Sequence, residues 1–409
     1  MFYRLTAKHV QGDDSSRFLA GVGVSTYLII FLFFVFATLN SMILLVAPLN
    51  ALDMGAGEAM LGILVASFVA CGAVFSLQGA TLCDRLGLRS VIILSFCFLA
   101  AGYVVGILAV SPSWLIPGQI LAGIGDMLFT VGGFTYLAEV TPHSHQNLAH
   151  SVAFTTLGLG AVIGSALGGY VAEWVGFDGA FMLGILVSLA AVCLSLCLSS
   201  VNPQADQAMA APRRVFAAYQ AGYDLLRVNK AVRLVAVLTS LGALGWYTFG
   251  SSLYLDYLHW LAIPSGTIGL LRGLGSTAMV LAPFLYLSLS NHIGVLRAIL
   301  FGLLLGGLGL AMTPFLKSVL ALAVVGTLAQ TADRFRMPGV VTLLRMDTRS
   351  QERPTAIAIM NTSWALAAFV GGPFWGFIVR TVGLSNAFLA AGLAVMLGTV
   401  AIYARSHCS

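Results

Sequence analysis

Long apolar runs recur along the whole chain, each closed off by charges, proline or glycine. They fall near 20–49, 58–82, 90–110, 113–138, 147–172, 178–200, 232–257, 265–289, 295–314, 318–343, 354–378 and 384–404. A helix needs ~20 mostly apolar residues to cross a bilayer. Every run meets that length, which predicts an all-α membrane protein with twelve transmembrane helices. One connection breaks the short-loop rhythm. Residues 201–231 are polar at first, then pass Arg213 and Arg214 into a stretch where Val215, Phe216, Tyr219, Tyr223 and Leu226 share one helical face. That pattern predicts an amphipathic helix lying on the membrane surface. It divides the chain into residues 1–200, a linker at 201–231, and residues 232–409.

Composition agrees with the pattern. Of the 409 residues 59% are hydrophobic and 9% charged, where a soluble domain carries about 25% charged residues. This leaves no room for a large soluble catalytic domain. The net charge of +5 is spread over loops, so it is not a nucleic-acid surface. Fifteen of the twenty Lys and Arg residues fall on one side if both termini do. By the positive-inside rule that side is cytoplasmic. Asp53, Glu58, Glu173, Asp178 and Asp256 fall in the outer loops. The first run is too long, and its approach too polar, for a cleaved signal peptide. The six cysteines lie in apolar segments or at inner ends and suggest neither a disulfide framework nor a metal site. The sequence contains no His-Glu-x-x-His, no Gly-x-Ser-x-Gly and no phosphate-binding Gly-x-x-x-x-Gly-Lys-Ser/Thr, which argues against an enzyme, a cofactor or ATP drive.

The two halves repeat. Shifting the sequence by 207 residues lays Asp84-Arg-Leu-Gly87 on Asn291-His-Ile-Gly294, and sets Gly62 on Gly269, Gly102 on Gly309 and Asp126 on Asp333. The same shift lays Gly169-Tyr-Val-Ala-Glu-Trp-Val-Gly176 on Gly376-Phe-Ile-Val-Arg-Thr-Val-Gly383. Two six-helix halves of the same hand, with a path between them, form a transporter architecture.

Here the residues resemble the major facilitator superfamily, across essentially the whole chain. The family's inner-loop signature Gly-x-x-x-Asp-Arg-x-Gly-Arg-Arg/Lys is matched by Ala80-Thr-Leu-Cys-Asp84-Arg85-Leu-Gly87-Leu-Arg89, with Ala80 and Leu88 as departures. Glu139 and Pro142 after span four resemble a second family mark. Gly164-Ser-Ala-Leu-Gly168-Gly169 resembles the span-five run of the drug/proton antiporter branch, with Ser165 where that run has proline. The resemblance implies the fold of that superfamily. It also implies that Asp84, Arg85, Gly87, Arg89 and Glu139, with Asn291 and Gly294 in the second copy, gate the cytoplasmic side. The alternative is a topology signal with a tight turn. Gly164, Gly168 and Gly169 in span five, and Gly372, Pro373 and Gly376 in span eleven, suit close helix packing.

Ionisable residues inside spans are costly and usually functional. Asp126 lies ~20 Å from the inner end of its helix. Gln119, Gly123, Asp126, Thr130 and Gly133 share its face. That face is expected to line a cavity where Asp126 takes up and releases a proton; the alternative is a carboxylate locked between helices. Span ten carries Gln330, Asp333, Arg334 and Arg336, with Pro338-Gly339 expected to loosen the helix beyond them. Arg336 either pairs with Asp333 or enters the cavity. Arg272 either snorkels to the outer surface or meets an anionic substrate group. Phe36 and Asn40 in span one, Trp246, Tyr247, Ser251 and Tyr254 in span seven, and Asn361 and Trp364 in span eleven are the expected lining for an amphipathic small molecule.

The expected function is proton-coupled secondary transport by alternating access, with export by antiport ahead of uptake of a metabolite or siderophore-type metal chelate by symport. A transporter-like receptor is a third reading. The expected partners are a small-molecule substrate, protons and the bilayer, in a bacterial inner membrane, with the chain working as a monomer.

Overall fold

A computed structural model describes residues 23–142, 145–200, 223–250, 253–348 and 353–408. The first half contains α1 (Val24–Asp53), α2 (Glu58–Leu86), α3 (Leu88–Ile107), α4 (Leu115–Val140), α5 (Gln146–Val175) and α6 (Phe177–Ser195). The second half contains α7 (Lys230–Gly250), α8 (Leu253–Trp260), α9 (Ser265–Ser276), α10 (Ala278–Ile293), α11 (Val295–Met312), α12 (Val319–Asp347), α13 (Arg353–Val382) and α14 (Leu384–Cys408). Helices are the expected outcome in lipid, where backbone polar groups must be satisfied within the segment.

Among the described residues, eight helices are each long and apolar enough to cross a membrane: α1, α3 to α6, α11, α13 and α14. The other four crossings are α2, the pair α7 and α8, the pair α9 and α10, and α12. Span eight follows the single helix expected: only Thr277 stands between α9 and α10, and it keeps right-handed helical angles (φ −61°, ψ −25°) while its backbone N–H and Oγ1 both donate to the Leu274 carbonyl, at 3.0 Å and 2.6 Å. In span ten, α12 runs through Pro338 as one helix. Of the linker in which an interfacial helix is expected, residues 201–222 lie outside the described residues, and residues 223–228 are helical.

Four corners are built alike. Gly87, Gly176, Gly294 and Gly383 each form the single residue between two helices, with φ of +79°, +90°, +89° and +83°. A side chain is strained at such angles. The same element therefore joins the second and third crossing of every three-helix unit, which is the internal repeat that the 207-residue shift detects.

Aromatic packing fills the first half. Phe129 of α4 stacks on Phe36 of α1 with ring centroids 4.1 Å apart and meets Phe33 and Phe96 edge-on. Tyr103 donates to the Leu39 carbonyl at 2.6 Å, tying α3 to α1. In the second half, the hydroxyls of Tyr254 and Tyr257 donate to the carbonyls of Leu322 (3.1 Å) and Leu316 (3.0 Å).

Candidate functional site

The polar centre of the first half is a pair between α1 and α4. Asn40 donates from Nδ2 to Asp126 Oδ1 at 2.7 Å. Both residues are half-buried, and Asp126 sits ~20 Å from the α4 terminus at Val140. The Asn40 Oδ1 is buried with no hydrogen-bond partner. An amide beside a carboxylate can donate to its charged form, or turn and accept from its neutral form. On the same α4 face, Gln119 is 1% exposed and its Oε1 also has no partner. Thr130 is exposed. Gly123 permits contact with α2, since a Cβ there would meet the Phe68 carbonyl oxygen at 2.3 Å.

Several expected lining residues are packing residues instead. Phe36 is 4% exposed in its stack on Phe129. Tyr254 is buried, with its hydroxyl bonded to α12. Helical spacing cannot separate an aromatic facing a cavity from one facing a neighbouring helix, and both sit on the neighbour side. The Gln330 amide presses on Gly275 of α9, where a Cβ would clash. Arg336 is 1% exposed and lies with its Nε and Cδ over Gly242 of α7, so span ten packs on span seven through this side chain. Asn361 is exposed and Trp364 half-buried. Asn361 lies eleven residues before Gly372, about three helical turns, so the two share a face of α13. Ser251 lies outside the described residues, as do the side chains of Asp84, Trp246, Tyr247, Asp333 and Arg334.

The halves meet along two helix pairs. For α2 and α13, a Cβ on Gly62 would lie 2.4 Å from the Gly372 oxygen and 3.2 Å from the Pro373 nitrogen, and one on Gly376 would lie 2.6 Å from the Ala59 Cα. For α5 and α9, a Cβ on Gly169 would lie 2.4 Å from the Ser265 oxygen, and one on Gly273 would lie 2.8 Å from the Val162 oxygen. Glu173 Oε2 accepts from the Gly266 N–H at 2.8 Å. Arg272 donates to the Leu44 carbonyl of α1. Neither of the two readings of Arg272, snorkelling outward or meeting an anionic substrate group, describes its position here: it is 8% exposed and turned across the seam onto the Leu44 carbonyl. These contacts lie toward the end bearing Asp53, Glu58, Glu173, Asp178 and Asp256.

The residues expected to gate occupy the opposite, basic end. Arg89 donates to the Leu196 carbonyl of its own half, while Arg85, Glu139 and Asn291 are exposed. Among the described residues, Arg85 and Arg89 make no ion pair with Glu139. Gly87 and Gly294 are the corner residues described above. Within α5, Gly164 and Gly168 pack on Thr38 and Met42 of α1, inside the half, and of the glycines in that run only Gly169 faces the other half. The sequence marks Glu173 only as an outer-loop acid. Pro48 inside α1 carries a signal of its own, because a proline leaves the carbonyl four residues earlier without a donor.

The family model described as Major Facilitator Superfamily matches residues 29–260 and again 235–407. The human solute carrier family 2, facilitated glucose transporter member 12 is 32% identical over 125 residues. That alignment takes in 31% of this chain and only 20% of the relative. The multidrug resistance protein MdtG of Serratia proteamaculans is 27% identical over 290 residues, 69% of each chain. The crystal structure of nucleoside transporter NupG superposes with a TM-score of 0.76 at 13% identity, covering 93% of this chain and 99% of that one. These matches are to transporters and not to enzymes.

Proposed function

Since the chain belongs to the major facilitator superfamily of membrane transporters, we propose that it is a proton-coupled secondary transporter that exports a small amphipathic molecule by H⁺ antiport. The observation that carries this reading is the Asn40–Asp126 pair. A carboxyl at mid-depth, held by one amide, can exchange a proton without losing its place between helices. Asp333, its counterpart in the second half, is the other candidate for proton binding. Gln119, Thr130, Asn361 and Trp364 supply polar and aromatic contacts for substrate, with Arg334 as the candidate for an anionic group.

We place the basic end in the cytoplasm, with both termini there, in a bacterial inner membrane, and read residues 1–200 and 232–409 as the rocking halves. The contacts at the acidic end then belong to a state closed outward. Outward opening would break them while Arg85, Arg89 and Asp84 engage at the cytoplasmic end. The multidrug relative supports export. The sugar and nucleoside transporters support a second reading, uptake of a small metabolite by symport.

The test is metabolite profiling of cells and medium, with the protein absent and overproduced, with and without protonophore. Export predicts a compound depleted from cells, enriched outside and insensitive to the protein once protonophore is added. The reverse distribution establishes uptake. Asp126→Asn is expected to abolish gradient-driven movement at unchanged protein level, and full activity in that variant would remove Asp126 as the coupling group.

A further inference from the structure

The helix α1 contains Pro48, five residues before its end at Asp53. Proline has no N–H, so the carbonyl of residue 44, one turn earlier, has no donor within its own helix. At this depth water is a poor substitute. The donor comes from the other half of the molecule: the Leu44 carbonyl accepts from a terminal guanidinium nitrogen of Arg272 on α9. Arg272 is buried, and among the described residues no carboxylate pairs with it. A helix carbonyl without a donor and a buried guanidinium without an acceptor are each unfavourable alone. One contact satisfies both, and it exists only while the acidic ends of the halves are together.

We propose that Pro48 and Arg272 form the clasp that sets how long the acidic end stays closed. Pro48 exposes the acceptor and Arg272 captures it from across the seam. Each opening separates the two and requires water to solvate both. The contact between Glu173 and the Gly266 N–H acts as a second, rim-side fastening. It serves a helix whose N-cap, Pro264, offers no side-chain hydrogen bond. Arg272 is therefore a positioning residue for the transport cycle, and Pro48 acts through it. This rests on the alternating-access reading above, but not on proton coupling.

The test uses the full chain with its six native cysteines replaced by alanine, and a single reporter, Ser165→Cys. Ser165 is buried on the α5 face that meets α9. Right-side-out membranes are treated with a membrane-impermeant maleimide, without substrate or proton gradient. Arg272→Ala is expected to speed labelling about tenfold, the scale of one charge-assisted hydrogen bond. Arg272→Lys keeps a charged donor and is expected to stay within about threefold of the parent. Pro48→Ala returns an N–H to the Leu44 carbonyl and is expected to speed labelling several-fold, but to add nothing once Arg272 is alanine. If Arg272→Ala does not reach the membrane, Arg272→Gln carries the same cycle.

Labelling of Arg272→Ala at the parent rate would overturn the clasp. A Pro48→Ala effect undiminished in the Arg272→Ala chain would overturn the role of Pro48. Absence of labelling in every variant, with transport intact, would overturn the alternating-access reading itself.

Discussion

Two faces of α5 carry glycines for different ends. On one, Gly160, Gly164 and Gly168 press against α1, with Cβ positions 2.4 Å from the Phe34 oxygen, 2.1 Å from the Thr38 oxygen and 2.8 Å from Met42. On the other, Gly169 meets Ser265 and Gly269 of α9, and the Ser165 carbonyl oxygen meets Gly269. The first contact lies within a half and the second lies between halves. In both, small residues let backbones touch, which is how helices associate without a hydrophobic drive. The seam differs by what is added to the glycines: the clasp of Arg272 on Leu44 and the Glu173 hydrogen bond. A contact made only of packing can be permanent, whereas one that must part and re-form gains direction and register from a few polar bonds.

The largest expected effect lies on the inner face of this comparison. Gly164→Val drives its Cβ into the Thr38 backbone, which neither helix can yield, so folded protein is expected to be lost from the membrane fraction in a detergent-solubilised size-exclusion profile. Gly169→Val is expected instead to leave folded protein and remove transport, because it wedges the seam open. Faster maleimide labelling at the acidic end would accompany that loss, and a fall in folded protein equal to that of Gly164→Val would erase the distinction between the faces. Smaller effects are expected at the basic end. Replacing both Arg85 and Arg89 by alanine is expected to speed labelling of an engineered cysteine at Thr130 by ~2- to 5-fold, the scale of exposed ion pairs. An unchanged rate would leave these residues as a topology signal alone. The smallest change, about twofold, is expected for Glu173→Gln, which keeps an acceptor for the Gly266 N–H but removes the charge, read by the Ser165→Cys assay.

Hydropathy made most of the fold legible, because lipid forces each crossing into one long apolar run. The corner glycines were legible too, through the 207-residue repeat. Asp126 was legible as a charge out of place, but its partner lies 86 residues away, and spacing within one helix says nothing about a neighbour. Phe36 and Tyr254 illustrate the same limit in reverse. Their periodicity identified a face, while the choice between cavity and core depended on which helix packed there. Arg272 combined both cases, being conspicuous as a charge yet interpretable only once Pro48 was seen to have stripped a donor from the helix opposite.

The four single-glycine corners also bear on how the chain enters the bilayer. A link of one residue offers no polar tether that could wait at the surface while its first helix settles. The pairs joined at Gly87, Gly176, Gly294 and Gly383 must therefore partition as hairpins, with each third crossing committed by the second. Within each three-helix unit the first crossing is then free to enter alone while the second and third enter together, so twelve crossings contain four such hairpin steps.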